Sequence, residues 1–306
     1  MLDNIAMVMR GITPNLFNSF LIKMNTFVIV ERNEYLIKID WLNMRIVYRP
    51  QNGNLVIKNS IHKLYNIKYG SGKPDNSTDF TFNQFCLMAN HISSIFETEL
   101  HNITVQGYFE FGVNIETDER HAFNIFQRYM TYRSVQLNPF ETIPKKRGKP
   151  QYRCCYLTDY RIKAYHKNFL PEIGLKSEKN VMRFEIVSTA LRMLRKILGL
   201  DVITLKDLTQ RNIWERMIAF TLDSYDKIQK IPMVKTDILS NEVDIIHSYC
   251  NSLVYSDVKN LWTEAHFKKI RREGKLIYEK WDKSENNNHI LVRQDLKQKM
   301  EYLILN

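Results

Sequence analysis

The sequence predicts an α+β protein. An antiparallel sheet of roughly five strands is covered on one face by helices over 79–100 and 188–199, and a mostly helical, basic C-terminal region follows. Three observations carry this. Tyr160–Val187 reads YRIKAYHKNFLPEIGLKSEKNVMRFEIV, with two alternating runs on either side of a Pro/Gly loop, the pattern of two half-buried strands. Upstream, FVIVERNEYLIKIDWLNMRIVYRP, then QNGN, then LVIKN place an Asn-Gly turn between runs rich in β-branched and aromatic residues. After Val187 the apolar spacing becomes helical.

Taken in order, residues 1–24 read as an irregular or short helical lead-in. Asp40 lies in the strand-rich stretch on the same side as Lys38 and reads as a solvated strand carboxylate. YGSGKPDNST over 69–78 is a loop; its GSGK lacks the spacing and the following Ser/Thr of a phosphate-binding loop. Asp79 is expected to cap a helix with Phe82, Phe85, Met88, Ala89, Ile92 and Phe96 on its core face, and His91 on its rim is structural. Residues 103–116, ITVQGYFEFGVNIE, alternate again: Phe109, Phe111, Val113 and Ile115 on one face, Tyr108, Glu110, Gly112, Asn114 and Glu116 on the other. A helix is expected over 117–134, with a basic and aromatic flank. Lys145, Arg147 and Lys146 concentrate charge in a loop, either on a phosphate backbone or simply in solvent. STALRMLRKILGL sets Leu191, Leu194, Ile197 and Leu198 against Arg192, Arg195 and Lys196, with Gly199 as the stop. Residues 235–306 read as nearly all helix. Lys268, Lys269, Arg271 and Arg272 make one segment strongly basic among aromatics. The expected division is a domain over 1–230 and a basic helical region over 231–306.

Composition narrows the function. The chain has 306 residues, 44% of them hydrophobic, enough for a real core, and a formal net charge of +11. Such a surplus suits a polyanionic partner, most often nucleic acid. Cys86, Cys154, Cys155 and Cys250 include no CxxC pair and suit neither a zinc site nor a disulfide framework, so a reducing, cytoplasmic setting is expected. The N-terminus does not read as a secretory leader, and no stretch approaches a membrane span. No GxSxG, HExxH, kinase or GxGxxG signature stands in its proper context.

The alternation places Arg161, Lys163, Tyr165 and Lys167 on one face of the first run, and Arg183 and Glu185 on one face of the second. If these strands neighbour the 103–116 strand in suitable register, Glu110, Glu116 and Glu185 join them on one polar sheet face. Carboxylate oxygens suit Mg²⁺ or Mn²⁺. A tyrosine hydroxyl can attack phosphorus to give a covalent phosphotyrosyl link, and lysine or arginine can offset the developing charge.

YRIKAYHK followed by NVMRFEIVSTALRML and LGLDVITLKDLT resembles the replication initiators of rolling-circle plasmids and small single-stranded DNA phages. YFEFGVNIE resembles that family's acidic central strand, and the likeness covers roughly residues 100–230. It implies a Rep-like antiparallel fold of the HUH-endonuclease kind. It also implies a DNA-nicking and rejoining endonuclease that cuts one strand at an origin, single-stranded or supercoiled, through a 5′-phosphotyrosyl intermediate with Mg²⁺ or Mn²⁺. The free 3′ end would pass to a polymerase, with a host helicase as a further partner. Carried over, Tyr165 is the nucleophile, Lys167 its phosphate-contacting partner, and Glu185 and Glu110, with Glu116, the metal ligands. From their charge, Lys163, Arg161 and Arg183, with the loop and tail cations, are expected to contact nucleic acid. His166 stands where the family has an acidic or amide residue, and the family's wider His-hydrophobic-His motif is absent. Tyr160 is the rival nucleophile, placed opposite Tyr165 by alternation. The alternatives are a non-catalytic, sequence-specific DNA-binding protein and an RNA-binding or structural virion protein.

Overall fold

The computed structural model describes residues 2–117, 126–133, 138–143, 152–166, 180–231, 240–250, 257, 259–261, 263–283 and 288–306. By its contacts the chain forms two compact units interleaved in sequence, unlike a division at 230. One comprises Met1–Asn114, Glu185–Phe220 and Met300–Asn306; the other comprises Ile115–Phe184 and Thr221–Lys299.

The first unit is built on β1 (Leu2–Met9), β2 (Val28–Arg32), β3 (Ile37–Trp41), β4 (Met44–Arg49), β5 (Asn54–Ser60), most of β6 (Thr104–Thr117) and the end of β11 (Asn180–Ser188). Their order is β2-β3-β4-β5-β1-β6-β11. The β2–β3, β3–β4, β4–β5, β5–β1 and β1–β6 pairings are antiparallel. Register gives the two faces opposite characters. Met7 lies across from Ile57, Ile57 from Ile46, and Ile46 from Ile39, and all four are buried. On the reverse face the next row is Ala6, Lys58, Arg45 and Asp40.

Helices α1 (Pro14–Met24), α2 (Ile61–Tyr69), α3 (Phe82–Ile95), α4 (Leu191–Leu198), α5 (Leu205–Leu208) and the first part of α6 (Arg211–Asp226) complete this unit. The apolar sheet face meets helical aromatics: Phe17 stacks on Tyr48 with centroids 4.2 Å apart, and Phe96 meets both Phe20 and Trp41 edge-on. Gly107 permits the closest approach, since a Cβ there would lie 2.9 Å from the Leu191 backbone nitrogen at the start of α4. The expected helices over 79–100 and 188–199 are present. Thr81 rather than Asp79 caps α3, through a reciprocal capping box with Gln84. His91 is half-buried beside Trp41 and Tyr69, with its pKa lowered chiefly by burial, in a structural setting. Asp40 is the solvated carboxylate expected, accepting from Nε and Nη2 of Arg45 at 2.8 and 2.9 Å. The expected lead-in over 1–24 is overturned: Leu2–Met9 is an inner strand buried almost throughout.

The second unit holds the end of β6, the start of β11, then β10 (Tyr160–His166), β9 (Tyr152–Tyr156) and β8 (Glu141–Ile143) in that order, and a ribbon of β7 (Tyr129–Tyr132) with β12 (Ile228–Lys230). The helix expected over 117–134 is corrected at Tyr129–Tyr132, which pairs antiparallel with Ile228–Lys230; most of the rest of that stretch lies outside the described residues. Tyr129, Phe184 and Tyr225 form a buried edge-to-face triad. Helices α7 (Ser240–Cys250), α8 (Glu264–Asp282) and most of α9 (Asn288–Leu305) confirm the helical C-terminal region. Helix α8 lies against α7 through Gly274 on Tyr249, and Trp281 donates to Glu242 at 3.0 Å. Among the described residues no helix is long and apolar enough to cross a membrane.

Lys230 is a buried cation whose ammonium sits 4.4 Å over the Tyr225 ring and donates to the Ile228 carbonyl at 2.9 Å. Burial pulls its pKa down to about 8, against the attraction of Asp282 and Asp226. Between pH 8 and about 10 the unfolded chain therefore holds a proton on this lysine that the folded one has lost, a contribution that rises with pH, while the thiols of Cys154, Cys155 and Cys250, raised chiefly by burial, contribute in the opposite sense in the same window. Above that, the phenols of Tyr225 and Tyr278, both raised chiefly by burial, oppose the trend. In urea titrations across this window the parent is expected to gain on the order of 2 kcal/mol relative to Lys230→Met. A difference between the two proteins that stays the same across the window contradicts it.

Candidate functional site

Strand β10 behaves as its alternation predicts. Ile162 and Ala164 are fully buried, and Arg161, Lys163 and Tyr165 are half-buried on the other face. Three half-exposed polar side chains thus follow one another along one side of one strand. Opposite them on β9 stand Tyr156, Cys154 and Tyr152 respectively. The Tyr165 ring meets Tyr152 edge-on, with centroids 6.5 Å apart, which fixes its plane and leaves part of it accessible. Lys167 lies outside the described residues, as do Lys145, Lys146 and Arg147.

Tyr160 is set in a different environment. Its hydroxyl donates to that of Tyr132 at 3.0 Å, and burial, then that neighbour, hold its pKa far above the ordinary value. A phenol so held stays protonated and is a poor nucleophile. This favours Tyr165 over its rival.

On β11 the expected polarity fails. Met182, Phe184 and Ile186 are buried as anticipated, but Arg183 and Glu185 are only 3% and 2% exposed. The strand is covered on both faces, so its alternation marks two buried sides instead of one wet and one dry side. Neither charged residue is without a partner, as burial of charge demands.

The acids are also distributed differently from the expectation. Glu116 is exposed at the second-unit end of β6. Glu110 belongs to the first unit, is buried, and has both oxygens engaged: the Tyr108 hydroxyl donates to Oε1 at 2.7 Å, and the Asn4 amide donates to Oε2. Among the described residues no group of three or more His, Cys, Asp or Glu is arranged to hold a metal ion. The carboxylates of Glu110, Glu116 and Glu185 are therefore not gathered into such a group among the described residues.

Exposed positive charge among the described residues includes Arg192, Arg195 and Lys196 on α4 and two further clusters. Lys268, Lys269, Arg271 and Arg272 are exposed on α8. Lys268 pairs with Glu264 and Lys269 with Glu273 along the helix, contacts worth a few tenths of a kcal/mol each. The second cluster, on the first unit's sheet, comprises Arg45, Arg49 and Lys58. These were missed in the sequence, although the alternation of Arg45, Val47 and Arg49 about the Asn-Gly turn is a legible signal.

With this geometry in place, the chain can be set beside known proteins. No family model matches it, and no curated protein sequence does. It is similar to a solved rolling circle replication initiator. That protein comes from Geobacillus stearothermophilus; the identity is 10%, the TM-score 0.42, and the match covers 78% of this chain and 88% of that one. A likeness at that score leaves the functional reading to the residues themselves.

Proposed function

We propose that this chain is a rolling-circle replication initiator that nicks one DNA strand through Tyr165. The observation that carries the reading is the half-exposed face of β10, where a phenol, an ammonium and a guanidinium stand at alternate positions. The adjoining strand β11 carries the Arg-Phe-Glu run of the resemblance. The Tyr165 oxygen forms a bond to phosphorus while the bond from phosphorus to the 3′ oxygen breaks. The phenolic proton is lost to solvent, and the leaving oxygen takes up one. The product is a 5′-phosphotyrosyl link and a 3′ hydroxyl that a host polymerase can extend. Lys163 and Arg161 offset charge on the phosphate oxygens as the transition state forms. The link keeps the energy of the broken phosphodiester, so attack by a 3′ hydroxyl rejoins the strand.

The test incubates the purified chain with supercoiled DNA carrying its own origin, with and without Mn²⁺. Relaxed circles with protein covalently on a 5′ end, and the DNA-bearing peptide containing Tyr165, are the expected result. A covalent link at Tyr160, or tight binding that never leads to a nick under any metal condition, sinks the proposal; the second outcome favours a non-catalytic DNA-binding protein.

A further inference from the structure

The face of the first unit's sheet away from its helices is hollowed by a concavity of about 750 Å³. Its floor is apolar, made by Ala6, Val47 and Val56; Arg45, Arg49 and Lys58 rise around it, and none of its lining residues is acidic. Lys58 stands directly across from Arg45 in the β4–β5 register. Like charges facing each other across strands work against folding. Asp40 lies on the far side of Arg45 and engages that guanidinium alone of the three. Cations held together over an apolar floor at a cost to the sheet call for an anion.

The opposite wall is built for a different contact. Tyr108 and Gln106 project from β6, with Tyr108 39% exposed. The Tyr108 hydroxyl is tied to Glu110, whose other oxygen takes the Asn4 amide. This clamp leaves the phenol ring as an oriented platform at the edge of the hollow and makes Glu110 a positioning residue. Phosphate-seeking cations on one side and a fixed aromatic ring with amides on the other are the two halves of a single-strand site: charge follows the backbone, and the ring stacks a base. A rigid duplex hides its base faces and has no use for the ring.

We infer that this concavity binds single-stranded DNA, with phosphates on Arg49, Lys58 and Arg45 and a base against Tyr108. The choice of DNA over RNA rests on the nicking reading; the single-strand chemistry does not. Asp40 tempers the site by competing with a phosphate for Arg45.

The experiment measures anisotropy of fluorescein-labelled oligo(dT) and oligo(rU) with the full chain over a range of salt. The double variant Arg49→Gln/Lys58→Gln is expected to bind oligo(dT) about tenfold more weakly, with the salt slope reduced by roughly 1.4 for two lost phosphate contacts. Asp40→Asn releases Arg45 and is expected to bind more tightly, which damage to the fold does not produce. Unchanged binding in the double variant overturns the inference. So does a loss that appears instead in Arg271→Gln/Arg272→Gln on α8, or a preference for oligo(rU). Tyr165→Phe separates the two proposals: if it still nicks while the double variant loses oligo(dT), the nicking assignment falls and the single-strand site stands.

Discussion

Replacing Tyr165 with phenylalanine is expected to abolish the covalent protein–DNA adduct and to lower nicking by at least ~10³-fold, the scale on which removal of a nucleophile is felt. The change deletes one oxygen. The ring keeps its edge-on contact with Tyr152, and the buried side of β10, Ile162 and Ala164, is untouched. Stability should therefore move by no more than about 1–2 kcal/mol, the scale of a single hydroxyl contact. DNA affinity should hold, because Lys163 and Arg161 remain on the same face. Denaturing gels of labelled nicked substrate, run beside binding isotherms and melting curves, separate the three quantities. Tyr160→Phe is the matched control. It loses the hydroxyl contact with Tyr132, at a cost on the order of 1 kcal/mol, and keeps its nicking. Equal losses in both variants would show that aromatic packing in this layer, and not attack by one phenol, is what the reaction needs.

How far such a site can be read from sequence depends on which features are local. Alternation along β10 sorts Arg161, Lys163 and Tyr165 from Ile162 and Ala164 correctly, because the face of a strand is set by neighbouring residues alone. The hairpin about Gly53, at φ +61°, the core face of α3 and the C-terminal helices are legible for the same reason. What fails depends on distant partners. Strand β1, LDNIAMVM, shows no period of two because almost every residue is buried, the mark of an inner strand. The segment Tyr129–Tyr132 is extended because Ile228–Lys230, about a hundred residues away in sequence, pairs with it. Arg183 and Glu185 have the right parity on β11 and the wrong exposure, since only the fold decides what covers a strand. Glu110 reads as a metal-facing carboxylate, yet its oxygens are engaged by Tyr108 and by Asn4 from a strand at the other end of the sequence.

Trp214→Ala is expected to be the most destabilising single change in the first unit, at roughly 3–5 kcal/mol. Trp214 is fully buried at the start of α6, and its indole N–H donates to the Leu208 carbonyl at 2.8 Å. Phe82 and Phe85 of α3 lie 5.4 Å away by ring centroids, and Phe111 of β6 lies 6.3 Å away. One ring thus joins two helices to the inner face of the strand whose outer face carries Tyr108 and Glu110. Alanine leaves a void among three phenylalanines and strips a buried carbonyl of its donor. Trp214→Phe keeps much of the volume and loses only the donor, so it should cost about 1–2 kcal/mol. The gap between the two variants in urea or thermal melts measures packing apart from the hydrogen bond. Near-equal costs would mean that the carbonyl contact dominates and the aromatic cluster adds little. Because β6 is held from its inner side by this cluster, Trp214→Ala should also weaken oligo(dT) binding under conditions where the protein is still largely folded. Trp214→Phe should not, since the backing of Phe111, and with it the placement of Tyr108 and Glu110, survives the loss of one N–H.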